Sequence, residues 1–428
     1  MFVGSKFNKI SNNFFVKYLV KWLTLSLLVG CITGSASAIF LHFLHWAENV
    51  RESDLRIVWF LPISGLVIGL LYWKWGREVV KGNNQIIEEY YKPKNKIPLI
   101  MAPLVFAGTI LTHLFGGSAG REGTAVQMGG AIADQFTSVF NLGKEDRKII
   151  LIIGVSAGFA SVFGTPLAGA IFALEVLVLS KYRWNAFIPS AMTALIADFI
   201  CDLWGVNHTD YSELINVNVV PSMSTPNFFW SLFVGLICGI TAMLFTHTTR
   251  FWGMLFKKIK FSPLRPFVGG IVIALTVYFM GPILAPKYIG LGIPIIVDAF
   301  TETLNSYDFA IKIIFTAFTL GAGFKGGEVT PLFFIGATLG NALVWFVPLP
   351  MALLAGMGFV AVFSGATNTP IACTVMGMEL FGIQGGLYIA LACFSAYLSS
   401  GYTGIYSSQF VSAQKYWLYP RKVFNKNK

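Results

Sequence analysis

The sequence predicts an all-α polytopic membrane protein built as an inverted-topology repeat with broken helices. Three observations carry that expectation: charge is scarce, the chain resembles itself at a spacing of about 205 residues, and matching loops in the two halves differ in charge. Of 428 residues, 55% are hydrophobic and 12% charged, where a soluble domain carries about 25% charged residues. Uncharged tracts of more than 20 residues recur, among them 22–47, 97–120, 149–174, 329–378 and 380–414. A bilayer core of about 30 Å takes about 20 apolar residues of helix, so these tracts belong in a membrane. No polar block remains that is large enough for a soluble catalytic or regulatory domain, and the reading is of a single transmembrane domain acting within or across the bilayer.

The first tract follows Lys6, Lys9, Lys17 and Lys21, as the apolar core of a secretory leader would. At 26 uncharged residues it is too long for a leader and reads as a retained helix. The other end carries Lys415, Arg421, Lys422, Lys426 and Lys428 without an acid, so the excess of positive residues places both termini in the cytoplasm. The net charge of +11 gathers at tract ends rather than on one face with aromatics between, which excludes nucleic acid as a partner. The cysteines Cys31, Cys201, Cys238, Cys373 and Cys393 lack metal spacing and read as small core residues, with no metal or cofactor implied.

Five blocks recur in the same order. Val29-Gly30 with Gly34 matches Val234-Gly235 with Gly239, and Gly65 with Gly76 matches Gly270 with Gly281. Gly82 to Ile87 resembles Gly290 to Ile295. Glu122, Thr124, Gly130 and Ala131 return as Glu328, Thr330, Gly336 and Ala337, and Thr165-Pro166 with Glu175 returns as Thr369-Pro370 with Glu379. The offset drifts only between 204 and 208 residues, which argues for a duplicated unit, one half spanning about 20–205 and the other about 225–415. The segment around Glu48, Arg51, Glu52, Asp54 and Arg56 is acidic on balance, whereas its counterpart, 250–265, holds Lys257, Lys258 and Lys260 and no acid. The stretch 184–249 has no Lys or Arg but carries Asp198, Asp202, Asp210 and Glu213, which places it outside. Each half then crosses an odd number of times, the arrangement in which transporters build a midplane site from broken helices.

Four carboxylates interrupt or border apolar tracts at repeat-related places: Glu122, Glu328, Glu175 and Glu379. A charge at the bilayer centre costs about 2.5–3.5 kcal/mol on insertion scales, so such groups face a cavity, take up a proton or pair. Glu122 follows the glycine-rich break 116–120 and opens a new helix from Thr124 to Phe136; Glu328 stands likewise before Val329-Thr330-Pro331. Helix starts offer unpaired N–H groups and partial positive charge, which suit an anion or a carboxylate that imitates one. The bland alternative for both is a capping carboxylate. Glu175 and Glu379 end their helices and read as markers of the water boundary or partners of Lys181 or Arg183. A third polar break, Lys81 to Ile86, presents the amides of Asn83 and Asn84, or is an ordinary turn. His42 and His45 read as packed or interfacial, and no HExxH, GxSxG or Walker motif accompanies them. Without a nucleophile and base or a metal set, an intramembrane enzyme is disfavoured against a transporter.

Taken together, the Gly82 break, Gly120-Arg121-Glu122-Gly123, Thr165-Pro166-Leu167-Ala168-Gly169, the start from Gly327 to Pro331 and Tyr406-Ser407 resemble the CLC family of chloride channels and anion/proton antiporters over nearly the whole chain. The resemblance implies a homodimer in the plasma (inner) membrane with one anion pathway per subunit, lined by helix starts and a central tyrosine. Glu122 would be the gating and proton-carrying glutamate and Tyr406 the central tyrosine. Asn83, Asn84, Thr124, Val329 and Thr330 would complete the anion-binding positions.

Departures from the chloride pattern narrow the expectation. Asn83 replaces the serine that coordinates chloride, Thr124 replaces a common proline, and Glu328-Val329 replaces an apolar residue and a phenylalanine. Val176 occupies the place of the internal proton-transfer glutamate, leaving Glu175 beside it. This set resembles the fluoride-exporting bacterial branch, so fluoride and protons are the expected cargo, with a chloride-selective exchanger or passive channel as the alternative. Fluoride holds water tightly, and amide donors with a protonated Glu328 replace that water better than one hydroxyl. Glu328 is then the candidate for a proton route or a second anion-site group.

Overall fold

The computed structural model describes residues 4–177, 184–215, 220–402, 404–409 and 415. Among them lie sixteen α-helices and no strand. The first eight are α1 (Gly4–Ser53), α2 (Leu61–Lys74), α3 (Asn83–Tyr91), α4 (Met101–Leu114), α5 (Glu122–Val139), α6 (Lys144–Phe163), α7 (Pro166–Leu177) and α8 (Trp184–Leu203). The second eight are α9 (Thr225–Lys257), α10 (Leu264–Leu284), α11 (Ile293–Thr301), α12 (Asp308–Ala322), α13 (Val329–Ala342), α14 (Met351–Thr367), α15 (Pro370–Phe381) and α16 (Gly386–Ser399).

Five helical stretches are long and apolar enough to cross a membrane: Val16–Ser53, Leu55–Lys74, Asn185–Leu203, Thr225–Lys257 and Leu264–Lys287. Others are too short to span. At 1.5 Å per residue the 14 residues of α13 and the 12 of α7 and α15 reach only part-way through a core of about 30 Å. The starts of α13 and α15 lie inside the protein, with Val329, Thr330 and Pro370 buried, as expected of broken helices, whereas Leu167 at the start of α7 is exposed. The uncharged tract 329–378 resolves into α13, α14 and most of α15, divided where Pro348 and Pro350 break the chain and where Asn368 takes a positive φ of 59°.

Helix pairing repeats between the halves. α1 packs on α6 and α8 as α9 packs on α14 and α16, and α5 on α6 as α13 on α14. Small residues permit the last two contacts: a Cβ on Gly129 would come within 2.2 Å of the Gly154 carbonyl oxygen, and one on Gly336 within 2.1 Å of that of Gly358. Close backbone approach through small residues is how helices associate where lipid gives no hydrophobic drive. The halves meet through α2 on α10 and α7 on α15. The stretch 184–249, which its charges place outside, is mostly α8 and α9. Likewise 250–257 continues α9 instead of forming a loop.

Candidate functional site

Glycine-rich breaks bring the starts of α5 and α13 together at the centre. Gly120 and Gly327 exchange two backbone hydrogen bonds of 2.6 Å, an isolated antiparallel bridge that ties the two repeat-related motifs to one another. A side chain on Gly327 would meet the Gly123 nitrogen at 2.7 Å, so only glycine admits this contact. Ser118 fixes the approach by bonding Thr316 at 2.9 Å.

Glu122 opens α5 but its carboxylate does not cap that helix further along. It crosses to the other half, where Oε2 accepts from the Thr330 backbone N–H at 3.1 Å and Oε1 accepts from the Thr330 hydroxyl. The Arg121 backbone N–H donates to Oε2 at 3.1 Å, and the Arg121 Nε lies 3.7 Å from Oε1. The side chain is 1% exposed. A buried carboxylate seated on the N-terminus of α13, with a hydroxyl and N–H donors around it, occupies the kind of place an anion would take.

Across Gly123 lie the second carboxylate and an amide. A methyl group in place of the Gly123 hydrogen would sit 3.1 Å from Asn83 Nδ2 and 3.7 Å from Glu328 Oε2. Asn83 Oδ1 is cut off from water and has no hydrogen-bond partner. Gly82, with φ of 54°, turns the chain so that Asn83 begins α3 and faces this space. Asn83, Val126, Phe172, Val176 and Tyr406 line one small cleft, and the Tyr406 side chain is 6% exposed.

Asn84 is placed differently from Asn83. Its Oδ1 accepts from the Ser408 N–H at 2.9 Å and the Ser407 hydroxyl at 3.3 Å, while the Ser408 hydroxyl donates to Glu88 at 2.9 Å. Asn84 therefore ties α3 to the segment that carries Tyr406. Thr124 is fully buried and bonds Thr109 of α4 at 2.7 Å. Val329 is buried in the first turn of α13.

A void of about 20 Å³ that shares no lining residue with the Asn83 cleft is lined by Arg121, Glu122, His208, Tyr211, Thr330 and Phe333. Beyond it a cavity of about 240 Å³ is lined by His42, His45, Arg121, Asn207 and His208. Burial and the Arg121 guanidinium hold the His208 imidazole below its ordinary range. The two histidines of α1, read as packed or interfacial, are exposed and face this cavity; His42 Nε2 lies 3.0 Å from the Trp204 carbonyl oxygen. Glu122 thus stands between a wide mouth near the α8–α9 connection and a narrow cleft near α3.

Glu175 departs from its expected place at a water boundary. It is 4% exposed and accepts from backbone N–H groups of α15, while Glu379 accepts from those of α7. Lys181 and Arg183, its alternative partners, lie outside the described residues. Sequence reasoning also passed over Lys325, whose Nζ lies 4.0 Å from the centre of the Tyr72 ring three residues before Glu328. A lone lysine in an apolar glycine break was the available signal.

A family profile described as voltage gated chloride channel matches residues 64–401. The chloride/fluoride channel protein of Pseudomonas syringae pv. tomato is 50% identical over 418 residues, which cover 96% of this chain and 91% of that one. The H(+)/Cl(-) exchange transporter ClcA of Vibrio cholerae is 27% identical, covering 84% and 81%. A crystal structure of a CLC-type fluoride/proton antiporter superposes with a TM-score of 0.86 at 35% identity, covering 92% of this chain and 98% of that chain.

Proposed function

The chain belongs to the CLC family of voltage gated chloride channels, and on that premise we propose that it is a fluoride/proton antiporter, a secondary active transporter that exports cytoplasmic fluoride as protons enter. The seat of Glu122 carries the reading. Ionised, its carboxylate takes the N–H and hydroxyl donors of Thr330 at the start of α13; protonated, it loses the charge that holds it there and yields them to an anion. One group that alternates between proton and seat links the two cargoes.

Fluoride, rather than chloride alone, is favoured by the donors across Gly123. The Asn83 amide and Glu328 face the same point, and a protonated Glu328 adds a donor where an ionised one would repel. Asn83, Thr330 and Tyr406 are the proposed anion contacts, with Val329 and Thr124 shaping the helix starts beside them and Asn84 holding the Tyr406 segment. The basic termini support a reading with the α3 end in the cytoplasm and the 240 Å³ mouth outside the plasma membrane. By family resemblance the chain works as a homodimer with one pathway in each subunit.

Reconstituted liposomes test the proposal. With a fluoride gradient across vesicles of purified protein, fluoride efflux measured by electrode is accompanied by proton uptake. An absence of proton movement ends the exchanger reading. Chloride flux equal to fluoride flux overturns the fluoride assignment and leaves the family membership intact.

A further inference from the structure

Asp198 and Asp202 lie one turn apart near the end of α8, and His208 returns to them from the following loop. One ligand atom from each of the three lies within 4.8 Å of the others, and His208 Nε2 is 3.8 Å from Asp202 Oδ1. Two of these groups are left unsatisfied: Asp198 Oδ1 and His208 Nε2 are both cut off from water without a hydrogen-bond partner. Polar atoms in that condition are rare in folded proteins and call for a partner. The surroundings say which sign it carries. The stretch 184–249 has no Lys or Arg, and among the described residues no Lys or Arg forms an ion pair with either aspartate. The C-terminal end of α8 is the negative end of its dipole, and Glu379 adds a further negative charge felt at Asp198. Arg121, whose charge reaches His208, also lies 3.7 Å from Glu122.

The geometry points to a divalent metal site formed by Asp198, Asp202 and His208 at the mouth of the pathway, a site that takes zinc or a similar transition-metal ion and slows exchange when filled. One imidazole nitrogen and two carboxylate oxygens, with room left for water, match the ligand preference of such ions. Ligands at about 2.1 Å from zinc stand about 3.4 Å from one another, so the set must contract slightly. Asp202, whose side chain is 58% exposed, is free to swing inward. His208 also lines the cavity beside Arg121, so a bound cation adds positive charge where anions pass and holds them there. The placement of this mouth outside rests on the function proposed above; the binding itself does not.

Calorimetric titration of zinc chloride into full-length purified protein stripped with chelator reads the site without transport. One saturable site per chain is expected, weakened at least about tenfold by His208→Gln and by Asp202→Asn, both at partly exposed positions. No saturable zinc binding by the native protein, or unchanged affinity in both variants, overturns the site. In liposomes, external zinc slows anion efflux through native protein and not through Asp202→Asn. Zinc bound with native flux unaltered overturns its control of exchange, whichever anion is carried.

Discussion

Glu175 and Glu379 each cap the helix that carries the other. Glu175, on α7, accepts from the N–H groups of Ile371 at 3.1 Å and Ala372 at 2.8 Å at the start of α15; Glu379, on α15, accepts from Leu167 at 3.0 Å and Ala168 at 2.7 Å at the start of α7. The two helices therefore lie antiparallel, and each half supplies acceptors for donors that the other half leaves open. This explains a carboxylate buried at Glu175 without a basic partner among the described residues.

The first prediction follows directly. Glu175→Ala strands two N–H donors away from water and costs about 1–3 kcal/mol of stability. Glu379→Ala costs less, because its exposed site lets water replace the lost oxygen. Thermal unfolding of the purified variants ranks them, with Glu175→Gln between native and alanine. Native stability in Glu175→Ala contradicts the staple.

Thr330 holds Glu122 by two donors, and only one survives Thr330→Val. Hydrogen bonds to charged groups contribute about 1.5–3 kcal/mol, so the carboxylate leaves its seat about 10–100 times more readily. Because the anion takes over the same hydroxyl, calorimetry should show weaker anion binding in Thr330→Val, with Thr330→Ser close to native. Tighter binding in the valine variant would mean that the hydroxyl serves Glu122 alone.

Asn83 and Asn84 are adjacent in sequence yet separable in effect. Asn83→Ser leaves a hydroxyl in place of the amide facing Gly123, so chloride efflux rises relative to fluoride efflux in liposomes. Asn84→Ala breaks the bonds to Ser407 and Ser408 and leaves that ratio near native while lowering the rate of both. Selectivity that changes with Asn84 alone reverses the assignment.

Glu122→Ala removes the carboxylate that crosses to the Thr330 donors. Proton uptake then falls at least about tenfold while anions still pass, since the donors on Thr330 stay open. Proton uptake that keeps pace with anion efflux in this variant places the proton elsewhere.

Much of this was legible because breaks in an apolar chain are conspicuous. Glycines before Glu122 and Glu328 marked helix starts, and their matching offsets marked a pair. What sequence could not supply was the partner of each group. Glu122 finds Thr330 across 208 positions and Asn84 finds Ser408 across 324. Neither contact leaves a local pattern. Periodicity fails too in 329–378, because α13 and α14 are buried on nearly every face and lack a polar side to reveal their turns. In the sequence Asp198 and Asp202 are topology signals only, because His208 joins them through a loop whose path depends on α6 and α8.

Glu328 offers the sharpest remaining test. Val176 lines the cleft with Asn83 and Tyr406 where other exchangers are expected to hold an acid, and Glu175 beside it is committed to α15. Glu328 lies across Gly123 from the Asn83 amide, a methyl group at Gly123 coming 3.7 Å from Glu328 Oε2 and 3.1 Å from Asn83 Nδ2. On the proposed function, Glu328 is the candidate to receive a proton handed inward from Glu122. Glu328→Gln keeps the shape and a donor but cannot take up or release a proton. Proton-coupled flux should fall at least about tenfold while fluoride still binds, read as proton uptake and as calorimetric affinity on the same preparation. Native exchange in Glu328→Gln removes it from the route, and lost binding with intact coupling makes it an anion ligand instead.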